Sequence, residues 1–148
     1  MKIVRLLLAD GHLNLLQGVH DLLEPLFDVI VMVADEGSLV DSIERMQPDL
    51  VIVDLSLPGG EGANVVRRLR SRYPGVAVIV LSVHDEPTVV SRMLEAGVAG
   101  FVLKRDAATA LLPAIREVLG GGTYVGRAVR GSPGTLQKID DGNGGAGR

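Results

Sequence analysis

The sequence predicts a three-layer α/β domain built on a parallel sheet, and three observations carry that prediction. Five short apolar runs alternate with stretches whose apolar residues recur at helical spacing, which is the pattern of βαβ units. The runs are aliphatic: 47% of the chain is hydrophobic, yet it holds only two Phe, two Tyr and no Trp, as suits strands buried on both faces. At 148 residues the chain is long enough for one sizeable core and too short for two well-packed ones.

The strand candidates are residues 3–8, 29–33, 50–53, 76–81 and 100–103. Between the first two, Leu15, Leu16, Val19, Leu22 and Leu23 mark a helix closed by Pro25. Leu39, Val40, Ile43 and Met46 mark a second before Pro48, and Val65, Val66 and Leu69 a third ending near Pro74. Val89, Val90, Met93 and Leu94 mark a fourth that stops at Gly97, with Pro87 in its first turn, where a missing N–H costs little. The fifth carries Leu111, Leu112, Ile115, Val118 and Leu119 behind Asp106 as N-cap. Pro113 falls inside it, at about 3 kcal/mol or more, so this helix is expected to kink or to begin late. After the Gly120-Gly121-Gly122 breaker and Val125 the text turns to Gly, Ser, Pro, Asp and Asn. The expected organisation is one domain over 1–125 and a disordered Gly-rich tail over 126–148.

Composition excludes several classes. A net charge of −3 supplies no electrostatic footprint for nucleic acid, so no direct nucleic-acid binding by this chain is expected. The absence of cysteine rules out a disulfide scaffold and thiol-ligated metal and sits with a reducing, cytoplasmic setting. Arg5 and Asp10 interrupt the opening apolar stretch, and no run approaches the ~20 residues that span a bilayer.

Chemistry is concentrated at the ends of the runs. Asp10 follows the first, Asp54 the third, Ser82 the fourth and Lys104 the fifth, so in a parallel sheet all four are expected on one rim, outside the carboxyl ends of the strands. A lone aspartate there is more often a helix cap or turn former. Two acids, a hydroxyl and an amine together instead match the components of phosphoryl transfer. Asp54 would be the nucleophile. Asp10, Asp54 and the backbone carbonyl of Ser56 would hold Mg²⁺, a hard cation that wants oxygen ligands and keeps several waters. Lys104 would pair first with Asp54 and then with phosphoryl oxygens, and Ser82 would hydrogen-bond an incoming phosphoryl oxygen.

At these positions the chain resembles the receiver domain of bacterial two-component response regulators, over about residues 2–125. The resemblance rests on Ala9-Asp10, on Asp54-Leu55-Ser56-Leu57-Pro58-Gly59 with Gly62, on Val80-Leu81-Ser82, and on the stretch from Ala96-Gly97 to Phe101-Val102-Leu103-Lys104. The Ala9-Asp10-Gly11-His12 wording is similar to receivers that precede a LuxR/NarL-type helix-turn-helix domain, although no such pattern follows Val125. The resemblance implies a flavodoxin-like (βα)5 sandwich with strand order 2-1-3-4-5, and a cytoplasmic signalling protein rather than an enzyme. It implies a sensor histidine kinase or phosphotransfer protein as donor, and switching of the face formed by helix 4, strand 5 and helix 5 to control partner binding or homodimerisation, with the dimer face, this one or that of helices 1 and 5, left open. It assigns Asp54 as phosphoacceptor, Ser82 as switch hydroxyl, Phe101 as switch aromatic and Lys104 as the phosphate-pairing amine.

One departure bears on the chemistry. The family usually has two adjacent acids after its first strand, the second being the direct metal ligand; here Gly11 follows Asp10, which implies weaker Mg²⁺ binding. A degenerate, phosphate-independent receiver and a truncated DNA-binding regulator are the alternatives. An enzyme of hydrolase type lacks support, because no Gly-rich phosphate loop follows the first run and Ser56 stands where a second acid would. His12, His20 and His84 are scattered and need no special role, and Arg67, Arg68, Arg70 and Arg72 read as a solvated helix face.

Overall fold

The computed structural model describes residues 4–11, 13–56 and 62–126, with the backbone alone for 13–17, 62 and 63. The tail expected over 126–148 lies outside the described residues apart from Gly126, as do His12 and Leu57-Pro58-Gly59. Strands β1 (Arg5–Ala9), β2 (Val29–Val33), β3 (Leu50–Asp54), β4 (Ala77–Ser82) and β5 (Gly100–Leu103) alternate with helices α1 (Leu13–Leu23), α2 (Glu36–Met46), α3 (Gly62–Arg72), α4 (Pro87–Ala96) and α5 (Ala107–Leu119). All strand pairs are parallel. The expected order is present and is extended by β6 (Tyr124–Val125), giving β2-β1-β3-β4-β5-β6. Sequence reading missed β6 because two residues behind a glycine triplet carry no periodicity.

The core has two halves, one on each face of the sheet. Leu7, Val51, Val53, Val78, Val80, Phe101 and Leu103 pack with Leu39 and Ile43 of α2, Val65 and Leu69 of α3, and Val90 and Met93 of α4. The alternate residues Leu6, Leu8, Leu50, Ile52, Ile79, Leu81 and Val102 pack with Val19 and Leu23 of α1 and with Leu111, Ala114, Ile115 and Val118 of α5. Successive strand side chains point to opposite faces, so an unbroken aliphatic run serves both halves. Burying a Leu, Ile or Val side chain is worth about 1.5–3 kcal/mol.

The helix ends follow local chemistry. Asp35 caps α2 by accepting from the Ser38 N–H at 2.8 Å, and Pro87 opens α4 while Gly97, at φ 102°, closes it in the left-handed region that suits glycine. At α5 the expected Asp106 cap is corrected and one of the two outcomes expected of Pro113, a late start, is removed. Asp106 stands at the N-cap but its side chain makes no capping bond, since Lys104–Asp106 already forms a 3-10 turn leading into the helix. Pro113 neither breaks nor delays α5, which is helical from Ala107 to Leu119; Pro113 and Thr109, the residue whose carbonyl loses its partner, are both exposed residues, where water can replace the lost bond.

The arginines of α3 also depart from expectation. Arg68 pairs with the buried carboxylate of Glu36 on α2. Arg70 donates to the carbonyls of Pro74 and Val76 at 3.1 and 2.8 Å, and Arg72 reaches Glu44 at 3.6 Å and lies over the Tyr73 ring. Rather than a purely solvated face, this side of α3 ties α2 and the α3–β4 turn together, which long guanidinium side chains do while their heads stay wet.

Gly100 allows α5 to lie against the sheet. A Cβ there would sit 2.9 Å from Cγ1 of Ile79 and 3.3 Å from Cγ2 of Val118. Gly100→Ala is therefore expected to destabilise the fold by about 1–3 kcal/mol, read as a lower urea midpoint at unchanged slope; an unchanged midpoint would refute the close-packing argument.

Candidate functional site

The two ends of the sheet are built differently. At the amino ends of the strands Asp28 accepts the Val4 N–H at 2.7 Å and Asp49 accepts the Arg5 N–H at 2.8 Å, so each carboxylate is used to tie loops to β1. At the carboxyl ends, strand alternation puts the positions two residues past Leu8, Ile52 and Val102 on the α1/α5 face. Those residues include Asp10, Asp54 and Lys104. The Asp10 amide donates to Val33 O of β2 at 3.0 Å, and Leu55 N donates to Leu81 O of β4 at 3.0 Å, which fix the two chain exits side by side.

Three of the expected site groups meet. The Lys104 Nζ lies 2.8 Å from Oδ2 of Asp54 and 3.6 Å from Oδ2 of Asp10. Both carboxylates are 2% exposed and the lysine side chain 11%. Two acids this close and this dry would repel one another, and the shared ammonium offsets that repulsion. Ser56 adds two contacts that sequence reasoning missed: its N–H donates to Asp54 Oδ1 at 3.1 Å and its hydroxyl to Oδ2 at 2.8 Å. The signal was available, since a serine two residues after an aspartate is the spacing of an Asx turn.

Burial pushes the Asp54 carboxyl up, but the Lys104 hydrogen bond, the Ser56 N–H and hydroxyl and the charge of Lys104 together outweigh it and hold Asp54 below its ordinary value of 3.8. The group is thus an anion over the whole neutral range, as a nucleophile toward phosphorus must be.

Ser82 is on the same rim but turned elsewhere. It continues the alternation of Val78 and Val80, so it points to the opposite face of the sheet from Asp54. It is fully buried, donates from Oγ to the His84 carbonyl at 3.0 Å and accepts from the His84 N–H at 2.8 Å. Phe101 is fully buried among the α2/α3/α4 core and aligned with Val80 and Val125. His84 lies in the loop beside Glu86 at 3.6 Å and His20 on α1 beside Asp21 at 3.5 Å.

The donor set fits a hard divalent cation in kind: two carboxylates on one rim with the Ser56 backbone beside them, the sort of partial oxygen set that Mg²⁺ completes with water. Gly11 contributes no oxygen from a side chain, and among the described residues no group of three or more His, Cys, Asp or Glu is arranged to hold a metal. No helix among the described residues is long and apolar enough to cross a membrane.

Comparison with known proteins agrees with this fold. Residues 6–116 match the family model described as the response regulator receiver domain. The chain is 35% identical over 124 residues to the transcriptional regulatory protein DegU of Brevibacillus brevis, covering 82% of this chain and 52% of DegU. It is 38% identical over 122 residues to the transcriptional activator protein ExaE of Pseudomonas putida, covering 81% of this chain and 57% of ExaE. The chain thus spans just over half the length of these relatives. Among solved structures, the isolated receiver domain of RcsB from Salmonella enterica serovar Typhimurium with the phosphomimetic BeF3⁻ superposes with a TM-score of 0.80 at 27% identity, over 87% of this chain and 97% of that one. The non-phosphorylated RcsB receiver of Escherichia coli gives 0.79 at 27%, over 85% and 100%.

Removing the ammonium tests this electrostatic account. In the wild type, Asp54 contributes stability that is complete above 3.8 and is lost as pH falls through its lower folded value. Lys104→Met leaves a buried carboxylate facing Asp10, at a cost of about 3–5 kcal/mol if both remain charged. Its Asp54 pKa is expected to rise above 3.8, so the stability gap to wild type narrows on acidification. Carboxyl carbon NMR titration and denaturation at several pH values check both statements. An Asp54 that still titrates below its ordinary value in the variant would refute the role given to Lys104.

Proposed function

The chain belongs to the response regulator receiver domain family, with the flavodoxin-like parallel fold of that family and homology to the LuxR/NarL-type regulators DegU, ExaE and RcsB, and on that premise we propose that Asp54 accepts a phosphoryl group from a histidine kinase or phosphotransfer protein. The observation that carries the proposal is the buried Asp54 carboxylate at the end of the central strand, gripped by Lys104 at 2.8 Å with Asp10 beside it.

In the transfer, an Asp54 oxygen forms a bond to phosphorus in line with the departing nitrogen of a phosphohistidine, the P–N bond breaks, and its electron pair leaves with the imidazole. Lys104 stays on the rim and passes from the carboxylate to a phosphoryl oxygen, so the new dianion meets a charge already in place. Asp10, Asp54 and the Ser56 carbonyl would hold Mg²⁺, which when bound neutralises charge between the acid and the phosphoryl oxygens. With Gly11 in place of an acid, that binding is weaker and leans more on water.

Ser82 then leaves His84 and donates its hydroxyl to a phosphoryl oxygen, Phe101 takes up the volume freed at its end of the core, and the face of α4, β5 and α5 shifts population toward a form that binds a partner or a second copy. The functional unit is residues 1–125, acting in the cytoplasm, with no nucleic-acid contact by these residues. Gly11 favours one second reading: a receiver that uses the same face without phosphorylation.

Incubation with Mg²⁺ and a small acyl-phosphate donor is expected to add the mass of one phosphoryl group, and Asp54→Asn to abolish the gain; an unmodified wild type would favour the second reading. Gly11→Asp, by restoring a carboxylate, is expected to tighten Mg²⁺ binding by roughly tenfold, or ~1.4 kcal/mol. Calorimetric titration measures that directly, and equal affinities would show that position 11 does not face the metal.

A further inference from the structure

The loop that holds Ser82 is itself tied down by a contact outside the acid cluster. Arg105 donates from Nη2 to Oδ2 of Asp85 at 3.1 Å. Asp85 stands next to His84, the residue whose N–H and carbonyl occupy the Ser82 hydroxyl. Arg105 stands next to Lys104, whose ammonium holds Asp54. One ion pair therefore joins the two short segments that carry the hydroxyl and the amine of the site.

Resting on the phosphoacceptor reading above, we infer that Asp85 and Arg105 form a latch that holds the β4–α4 loop in the position where Ser82 faces away from Asp54, and so sets how readily the site switches. Ser82 has one proton, and it is committed to the His84 carbonyl. To donate toward an oxygen on Asp54, the side chain must come round from the opposite face of the sheet and release His84, and Asp85 is carried with the backbone that moves. Arg105 opposes that motion from the segment that must also adjust when Lys104 changes partner. Both residues act through Ser82 and Lys104, so they are positioning residues.

The strength of the latch follows from its exposure. Side chains that are 56% and 50% accessible form a pair screened by water and salt, which suits an element that opens in each cycle. A contact made only in the resting form shifts the equilibrium by no more than its own strength. The expected effect of losing it is therefore about two- to fivefold in favour of the switched form.

The test uses the full chain with Mg²⁺ and beryllofluoride, a phosphoryl mimic, and compares apparent dissociation constants for wild type, Asp85→Asn, Arg105→Gln and the double variant, with amide exchange at His84 measured before the mimic is added. Each single variant is expected to bind about two- to fivefold more tightly, the double variant no more tightly than either, and His84 to exchange faster in all three. The gap to wild type should close as salt is raised to about 0.5 M, where the pair is screened in wild type as well. Equal or weaker binding by the single variants, with wild type responding normally, overturns the latch and leaves the phosphoacceptor reading intact. A wild-type chain that does not bind the mimic overturns both.

Discussion

The contact between the Lys104 ammonium and the Asp54 carboxylate is the constraint on which the rim depends. Asp10 and Asp54 both lie at 2% exposure within reach of one ammonium, and burial at Asp54 is outweighed by the Lys104 contact together with the Ser56 hydrogen bonds, which keeps that carboxyl ionised. Lysine suits the place because its ammonium is a compact point charge on a flexible stem. It can follow negative charge from one oxygen to another without the fixed fork geometry that a guanidinium would impose. Ser56 then sets the carboxylate's orientation, with its N–H on one oxygen and its hydroxyl on the other.

That arrangement costs stability locally, and the sheet beneath it offsets the cost. Every residue of β3 is buried, and both faces of the central strands are covered by helices. The polar groups are confined to the carboxyl ends, where the chain leaves the sheet and backbone amides are available. At the opposite end, Asp28 and Asp49 use their carboxylates to accept the Val4 and Arg5 amides at the start of β1. Carboxylates thus serve as staples at one end and gather around a shared ammonium at the other, and it is the second group that the proposed chemistry would use.

The site is asymmetric in its degree of assembly. Asp10, Asp54 and Lys104 are already in contact, whereas Ser82 is engaged with His84 and Phe101 is packed in the core. On the proposed reading, a phosphoacceptor cluster already assembled beside a hydroxyl that is engaged elsewhere is the arrangement expected of a two-state element biased by covalent charge. The exposed bridge from Asp85 to Arg105 lies on the second part, and the weakness expected of so exposed a pair suits the loop movement inferred above.

Alternation of aliphatic runs with helical periodicity was enough to predict the five main strands and helices and the rim on which the charged groups gather, because burial on both faces of a parallel sheet writes itself into composition. The Pro87 start and Gly97 stop of α4 were legible for the same local reason, the backbone demands of proline and glycine. Pairings between side chains distant in the chain were not. That Asp106 would leave α5 uncapped, that Pro113 would be absorbed on a wet helix face, that Tyr124 and Val125 would add a strand, and that the arginines of α3 would reach Glu36 and Glu44 all depend on neighbours no local pattern names. The residue types present determined which chemistry this protein can attempt. Only the packed fold decided which of those groups touch, because distances of 3 Å across a rim are set by strand register and helix packing, not by order along the chain.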